Sequence, residues 1–442
     1  MRRLNVWLES SPTPIGVLVA SDSGTTDFVY TAAWLMTREN HPLSLSLPLE
    51  PTPHGDVLTR AFFDNLLQEN RQFDQVRARE GLAQNDVVGL LAIVGADCAG
   101  AVSVLPEDHP PIKRPGDLAN DYDELSDAEF RDMVMRLASG KPLAYEMRDP
   151  SPVAGFRDKI SLAALPNGRF GLPKPNSGAP TTHILKIPDA DHRHEARDEE
   201  FVTLLAHQCG LPVGTCIADQ VEGQDILLIQ RFDRIVEGDA VTRIHQEDFA
   251  QAAGLPAALK YERSGIAGRR FDAATIGRIL ATTAQPARAR ALFLRLTLFN
   301  LLVGNNDNHA KNHGLFHLPG DAPMLTPFYD LVPVQIASGF REDLAYNIGK
   351  ARFAHEVDAA DLLHFTGEIG ISATGAASIL AKEAHNVVTA IEALSSGFEQ
   401  AMGALDRQIG AVAELLNDTL ALGIDLRDRD APATSGGGWQ LS

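Results

Sequence analysis

The strongest constraint in this chain is an apolar run, residues 291–303, that delivers directly into a polar loop, Gly304-Asn305-Asn306-Asp307-Asn308-His309-Ala310-Lys311-Asn312-His313-Gly314. The run Ala-Leu-Phe-Leu-Arg-Leu-Thr-Leu-Phe-Asn-Leu-Leu-Val is apolar enough for a buried helix. A buried helix would hold the polar loop on a rigid base, as a functional constellation requires. Downstream, Phe328-Tyr329-Asp330 adds a second carboxylate. An aspartate, then an asparagine, then another aspartate is the order that phosphoryl transfer asks for. One carboxylate takes or orients the nucleophile's proton, while an amide oxygen and a second carboxylate hold magnesium on the phosphates.

Two further segments fit that chemistry. Thr182-His183-Ile184-Leu185-Lys186 reads as a strand ending in a lysine, followed by a helix over 195–209 that carries Glu199 and Glu200. A strand lysine paired with a helix carboxylate is how kinase folds position a phosphate-binding ammonium. Between apparent strands, Ser151-Pro152-Val153-Ala154-Gly155-Phe156-Arg157-Asp158-Lys159 has small residues that let backbone N–H groups approach phosphate oxygens. It is not a Walker A loop. Gln230-Arg231-Phe232-Asp233-Arg234 ends a strand where a hinge between lobes would fall, with Asp233 and Arg234 expected as a structural ion pair. A metal hydrolase competes for the central loop, because His309 and His313 have the spacing that puts two imidazoles on one helical face. The flanking Gly and Asn residues disfavour a helix there, and no H-E-x-x-H glutamate is present.

The order of elements agrees with a two-lobed α+β fold. Residues 3 to about 105 read as β-rich, with strands near 4–8, 15–19, 28–30 and 43–47 and helices over 57–82 and 85–94. Prolines 106, 110, 111 and 115 mark a linker, and Ser126 with Glu129 forms a capping-box pattern. Strands near 159–165, 182–186 and 225–230 follow, and beyond about 245 the chain turns helical, with an Ala/Leu-rich stretch over 370–420. The expected division is 1–105, an N-terminal β-rich subdomain; 106–235, the rest of the N-lobe; 236–430, a helical C-lobe; and 431–442, a flexible tail.

With 442 residues, 44% apolar and 22% charged, the composition is that of a globular protein with a large core. No apolar run reaches the ~20 residues that span a bilayer, and Met1-Arg2-Arg3-Leu4-Asn5-Val6-Trp7 reads as a first strand, so a cytoplasmic location is expected. Cys98, Cys209 and Cys216 form no C-x-x-C pair and read as buried hydrophobes. A net charge of −19 argues against nucleic acid as the main direct ligand and suits a basic partner. The cluster Arg263, Arg269 and Arg270 reads as a solvated face.

Together these segments resemble the HipA family, the serine/threonine-kinase toxins of bacterial toxin–antitoxin modules. The resemblance rests on Val153-Ala154-Gly155 with Lys159, Thr182 to Lys186, Arg231-Phe232-Asp233-Arg234, Gln246-Glu247-Asp248, Lys260-Tyr261-Glu262, Asp307 to Asn312, and Leu325 to Asp330. It implies ATP and Mg2+ as cofactors. Asp307 would be the catalytic aspartate, Asn312 and Asp330 the magnesium ligands, and Lys186 the phosphate contact. Val153 to Lys159 would form the phosphate loop, Gln230, Arg231 and Phe232 the adenine hinge, and His309, Lys311 and Tyr329 further nucleotide contacts. The family implies a protein serine substrate, with aminoacyl-tRNA synthetases as the substrate class, and growth arrest and persistence as consequences. It also implies a helix-turn-helix antitoxin of the HipB type that tethers the toxin to operator DNA. Pro152 stands where the family carries an autophosphorylated serine, which makes Ser151 the candidate here. A small-molecule kinase and a non-catalytic antitoxin/DNA-bridging corepressor are the alternatives.

Overall fold

The computed structural model describes residues 1–9, 11–38, 40–67, 71–139, 159–188, 194–336, 343–395 and 403–427. Ser151, Val153, Ala154, Gly155, Phe156, Arg157 and Asp158 lie outside the described residues, as does the tail 431–442.

Alternation of apolar and polar residues builds the first sheet. In Arg2–Leu8 the side chains of Leu4, Val6 and Leu8 are buried, as the two-residue period of a strand requires. This strand sits between Gly16–Ala20 and Val102–Pro106 in an antiparallel sheet whose edge is Thr26–Tyr30. Helices Asp56–Asn65 and Val87–Val94 pack onto it. The helix expected over 57–82 is thus two helices, Asp56–Asn65 and Arg71–Glu80. The expected strand at 43–47 is instead a tight turn with one bridge, Ser44 to Leu47. The reason lies elsewhere in the chain: Ser44 Oγ and the Leu45 N–H (3.0 Å) both donate to the Glu247 carboxylate. That carboxylate also meets His317 Nε2 at 2.7 Å, so the turn is held by a distant polar site rather than by a neighbouring strand.

A second sheet runs in the order Cys216–Val221, Gln224–Gln230, His183–Lys186, Lys159–Ala164, Phe170–Pro173, Tyr122–Glu124. Helix Asp127–Ala138 begins with the expected capping box between Ser126 and Glu129 and contributes Met133, Val134 and Leu137 to this sheet's core. Helix Glu195–Gln208 packs against Cys216–Val221 and Gln224–Gln230. The register sets Lys159 opposite Lys186 on adjacent strands.

The remaining chain is mostly helical and is organised around Pro286–Val303. Proline at its first turn lacks only an amide that a helix leaves unpaired anyway. Its side chains Phe293, Leu294, Leu298, Phe299 and Leu302 are fully buried, each such burial stabilising the fold by roughly 1.5–3 kcal/mol. Helices Ala273–Ala281, Ala373–Ser395 and Gly403–Thr419 pack around it. This part also holds the small sheet His245–Asp248, Gly314–His317, Met324–Leu325 and the hairpin Asp343–Ile348 with Ala351–Phe353. The architecture is therefore the α+β two-lobed one.

A buried charge network joins the parts. Arg243 donates to Glu9 (2.7 Å) and to Asp97 (2.9 Å), while Lys113 lies 3.5 Å and Arg234 4.0 Å from Asp97. Arg234 also pairs with Asp233 at 2.9 Å, the ion pair expected from sequence. Among the described residues no helix is long and apolar enough to cross a membrane.

Candidate phosphoryl-transfer site

The site begins where the central helix ends. Gly304 adopts φ +70°, a left-handed conformation that a side chain disfavours, and a Cβ there would lie 2.9 Å from Gln335 Cβ. The turn lets the Asn305 N–H donate back to Asn300 O at 2.9 Å and sends the chain into the polar loop. Asn305 and Asn308 are scaffold. Asn305 Nδ2 donates to Asn300 Oδ1 (3.2 Å), and Asn308 Nδ2 to the buried Tyr346 hydroxyl (2.9 Å), which lies 2.9 Å from Thr297 Oγ1 on the helix.

Within this frame Asn312 Nδ2 donates to the Asp307 carbonyl at 2.8 Å, locking the two residues into one loop. The Asn312 Oδ1 accepts no hydrogen bond among the described residues, so a donor oxygen remains. The Asp307 carboxylate accepts a hydrogen bond from Tyr261. Burial raises the Asp307 pKa above the usual carboxylate value, and the Tyr261 hydroxyl opposes that rise.

Lys186 is buried, and its ammonium donates to Glu199 on the neighbouring helix and to Asp330 Oδ1 at 3.4 Å. The strand lysine, its helix carboxylate and the second loop aspartate, remote in sequence, are therefore in contact. Burial raises the Glu199 pKa, with Lys186 opposing it. Partial burial acts in the same direction on Asp330, but Lys186 and Lys159 outweigh it and hold this carboxyl at about 2. Asp330 adopts φ +57°, a strained conformation for a side chain with a Cβ and one that clusters at functional sites. The preceding Phe328 fixes this turn by exchanging backbone hydrogen bonds with Pro212 O (2.7 Å) and the Gly214 N–H (3.0 Å).

At the expected hinge, the Phe232 ring packs on Tyr329, centroids 5.2 Å apart, and on Phe316 at 5.8 Å. The Gln230 and Arg231 amides are committed to Thr215 O and Thr182 O, both at 2.9 Å. The Arg231 side chain is engaged by its own neighbour. Its buried guanidinium makes a two-pronged pair with Asp233, at 3.0 and 2.9 Å. Lys311 is likewise engaged by protein groups. Its ammonium binds Asn65 Oδ1 (2.8 Å), Asn65 O (3.2 Å) and Asp248 (3.3 Å), tying the helix Asp56–Asn65 to the loop. The Tyr329 hydroxyl donates to Lys311 O at 2.7 Å.

The hydrolase alternative loses its geometry. His309 is extended and residues 310–312 form only a short 3-10 turn, so the two imidazoles do not share an α-helical face. The His313 ring is buried among Phe249, Phe271 and Phe293, with centroids 5.4, 6.2 and 5.0 Å away. Burial lowers both histidines to about 3, which leaves them neutral. Among the described residues, no three or more His, Cys, Asp or Glu gather so as to hold a metal.

Sequence reasoning missed Tyr346, Thr297 and Tyr261 as parts of the site. Tyr261 carried one signal, its place in the Lys260-Tyr261-Glu262 motif.

Comparison with known proteins bears on the family and the fold. Residues 4–105 match the family model of the HipA N-terminal domain, and residues 151–392 that of the HipA-like C-terminal domain. The protein Y4mE of Sinorhizobium fredii is 34% identical over 84% of this chain and 86% of its own length. The serine/threonine-protein kinase toxin HipA of Shewanella oneidensis is 29% identical over 82% of each chain. HipA in the complex of Shewanella oneidensis HipA, HipB and operator DNA superposes with a TM-score of 0.76 at 24% identity, covering 96% of this chain and 100% of that one, which shows a shared fold. With a family model over more than half its residues and a relative at 34% identity over most of its length, the chain belongs to the HipA family.

Proposed function

We propose that this chain is an ATP-dependent protein serine/threonine kinase acting as the toxin of a toxin–antitoxin module. The observation that carries the reading is the contact of Lys186 with both Glu199 and Asp330, which joins a lysine strand, an acidic helix and a loop carboxylate into one cluster of the kind that phosphates and magnesium require. Magnesium takes one or two protein oxygens and completes its shell with phosphates and water. Asp330, whose carboxyl is held at about 2, and the Asn312 Oδ1, which accepts no hydrogen bond among the described residues, fit that need. Bound MgATP would supply the γ-phosphoryl group and neutralise its charge.

Lys186 then orients the phosphates, with Glu199 fixing the ammonium's direction. Asp307 receives the proton of the acceptor hydroxyl. The Phe232 and Tyr329 rings offer the base an aromatic wall. Residues 153–159 serve as the phosphate loop, and Ser151 as the autophosphorylation site. By the family resemblance the acceptor is a serine of a protein, of the aminoacyl-tRNA synthetase class, and the partner is a basic helix-turn-helix antitoxin that brings operator DNA. The relative HipA and its solved complex with HipB and operator DNA support this reading, and the net charge of −19 suits a basic partner. The boundaries at 105, 235 and 430 are proposed as the limits of its parts.

The test is transfer of labelled γ-phosphate from ATP to protein, with and without a chelator of divalent ions. Transfer in magnesium, abolished by chelation and restored by added magnesium, is the expected result. Absence of transfer to any protein, this chain and a synthetase panel included, would remove the kinase reading.

A further inference from the structure

The segment 260–263 is clamped to the loop that carries Asp307. The Ala310 N–H donates to Lys260 O at 3.0 Å, and the next residue, Tyr261, donates its phenolic hydroxyl to Asp307 Oδ1. Among the described residues this is the only hydrogen bond to the Asp307 carboxylate, so Oδ2 remains open. The ring is braced on two sides. The Arg263 guanidinium lies 3.8 Å from its centroid, and His309 meets it edge-on at 5.0 Å. The braces are anchored in turn. Arg263 pairs with Asp343 at 3.2 Å, and Glu262 accepts the Asn347 backbone N–H at 2.6 Å and its Nδ2 at 3.0 Å.

We propose that Tyr261 is a positioning residue for phosphoryl transfer: it holds one oxygen of Asp307 so that the other faces the acceptor hydroxyl. This rests on the reading of Asp307 as the group that takes that hydroxyl's proton. A carboxylate turns freely about its last torsion, and one fixed oxygen removes that freedom before substrate arrives. The bracing favours positioning over a removable plug, since a plug that yields to substrate would not be held by a stacked arginine, a histidine edge and a backbone clamp. The hydroxyl also stabilises the ionised form of Asp307, against the burial that disfavours it.

The experiment compares wild type, Tyr261→Phe, Asp307→Asn and the double variant, reading kcat, KM for ATP and the pH dependence of kcat. Tyr261→Phe is expected to lower kcat about ten- to a hundredfold, to leave KM for ATP unchanged, and to move the acid limb to higher pH. In the Asp307→Asn background the second change should cost nothing further, because the carboxylate it serves is gone. A merely structural role would lower the melting temperature without moving the acid limb. Wild-type kcat and acid limb in Tyr261→Phe, with Asp307→Asn inactive, would overturn the proposal and leave the kinase reading intact. A faster Tyr261→Phe enzyme would overturn it in favour of a plug. Full activity in Asp307→Asn would remove the assignment of Asp307, and the proposal with it.

Discussion

Asp307→Asn should lower the rate of γ-phosphate transfer by about three orders of magnitude, within the range of a lost general base. The substitution keeps shape and exchanges a proton acceptor for an amide. The Asp307 carbonyl that Asn312 holds at 2.8 Å belongs to the backbone and survives the change. Lys186 and Asp330 do not touch the Asp307 side chain through any hydrogen bond among the described residues, so nucleotide affinity should stay near wild type. The expected signature is a collapse of kcat with little change in KM for ATP. The pH dependence has a defined sign. Burial raises the Asp307 pKa, and the base works only when ionised, so activity should fall as pH drops through a value above the ordinary carboxylate one. Steady-state rates and a pH series check both points. Undiminished transfer by Asp307→Asn would show that the acceptor's proton goes elsewhere.

The sequence carried more of this site than its distances in the chain suggest. Phosphoryl transfer restricts residue types tightly, and Lys186, Glu199 and Asp330, separated by up to 144 positions, meet as their chemistry demands. Local rules also read the capping box at Ser126 and the long buried helix, because both depend on neighbours in the chain. What stayed illegible depends on partners that no local pattern names. The run 43–47 alternates like a strand, yet the Glu247 carboxylate, some two hundred positions away, holds it as a turn. Lys311 sits inside the loop motif, and its ammonium meets Asn65 and Asp248, partners that no local pattern announces. Arg231 lies at the hinge, and a paired Asp233 two residues on satisfies its guanidinium. Tyr261 lies in a family motif, but only the fold sets its hydroxyl on Asp307.

Asp97→Ala should destabilise the protein by about 3–5 kcal/mol, the usual penalty for removing one partner of a buried ion pair. Asp97 is buried, and three cations surround it: Arg243 at 2.9 Å, Lys113 at 3.5 Å and Arg234 at 4.0 Å. Burial alone would raise its pKa, but these charges outweigh that effect and hold it far below the usual carboxylate range. Once the carboxylate is gone, Glu9 still serves Arg243 and Asp233 still serves Arg234, yet the buried positive charge is no longer balanced. The loss falls on a junction. Asp97 and Glu9 flank the first sheet, whereas Arg234 and Arg243 lie just beyond the expected hinge, so this network fixes the first sheet to the rest of the protein. Denaturant titration should show the lowered midpoint, and limited proteolysis should cut first near the linker around residue 110. The linkage has one sign: because folding depresses the Asp97 pKa, its contribution is complete above the unfolded value of ~3.9 and is lost as pH falls below it. An Asp97→Ala unfolding free energy within about 0.5 kcal/mol of wild type, the range of an ordinary surface change, would mean that the network fixes geometry without contributing stability.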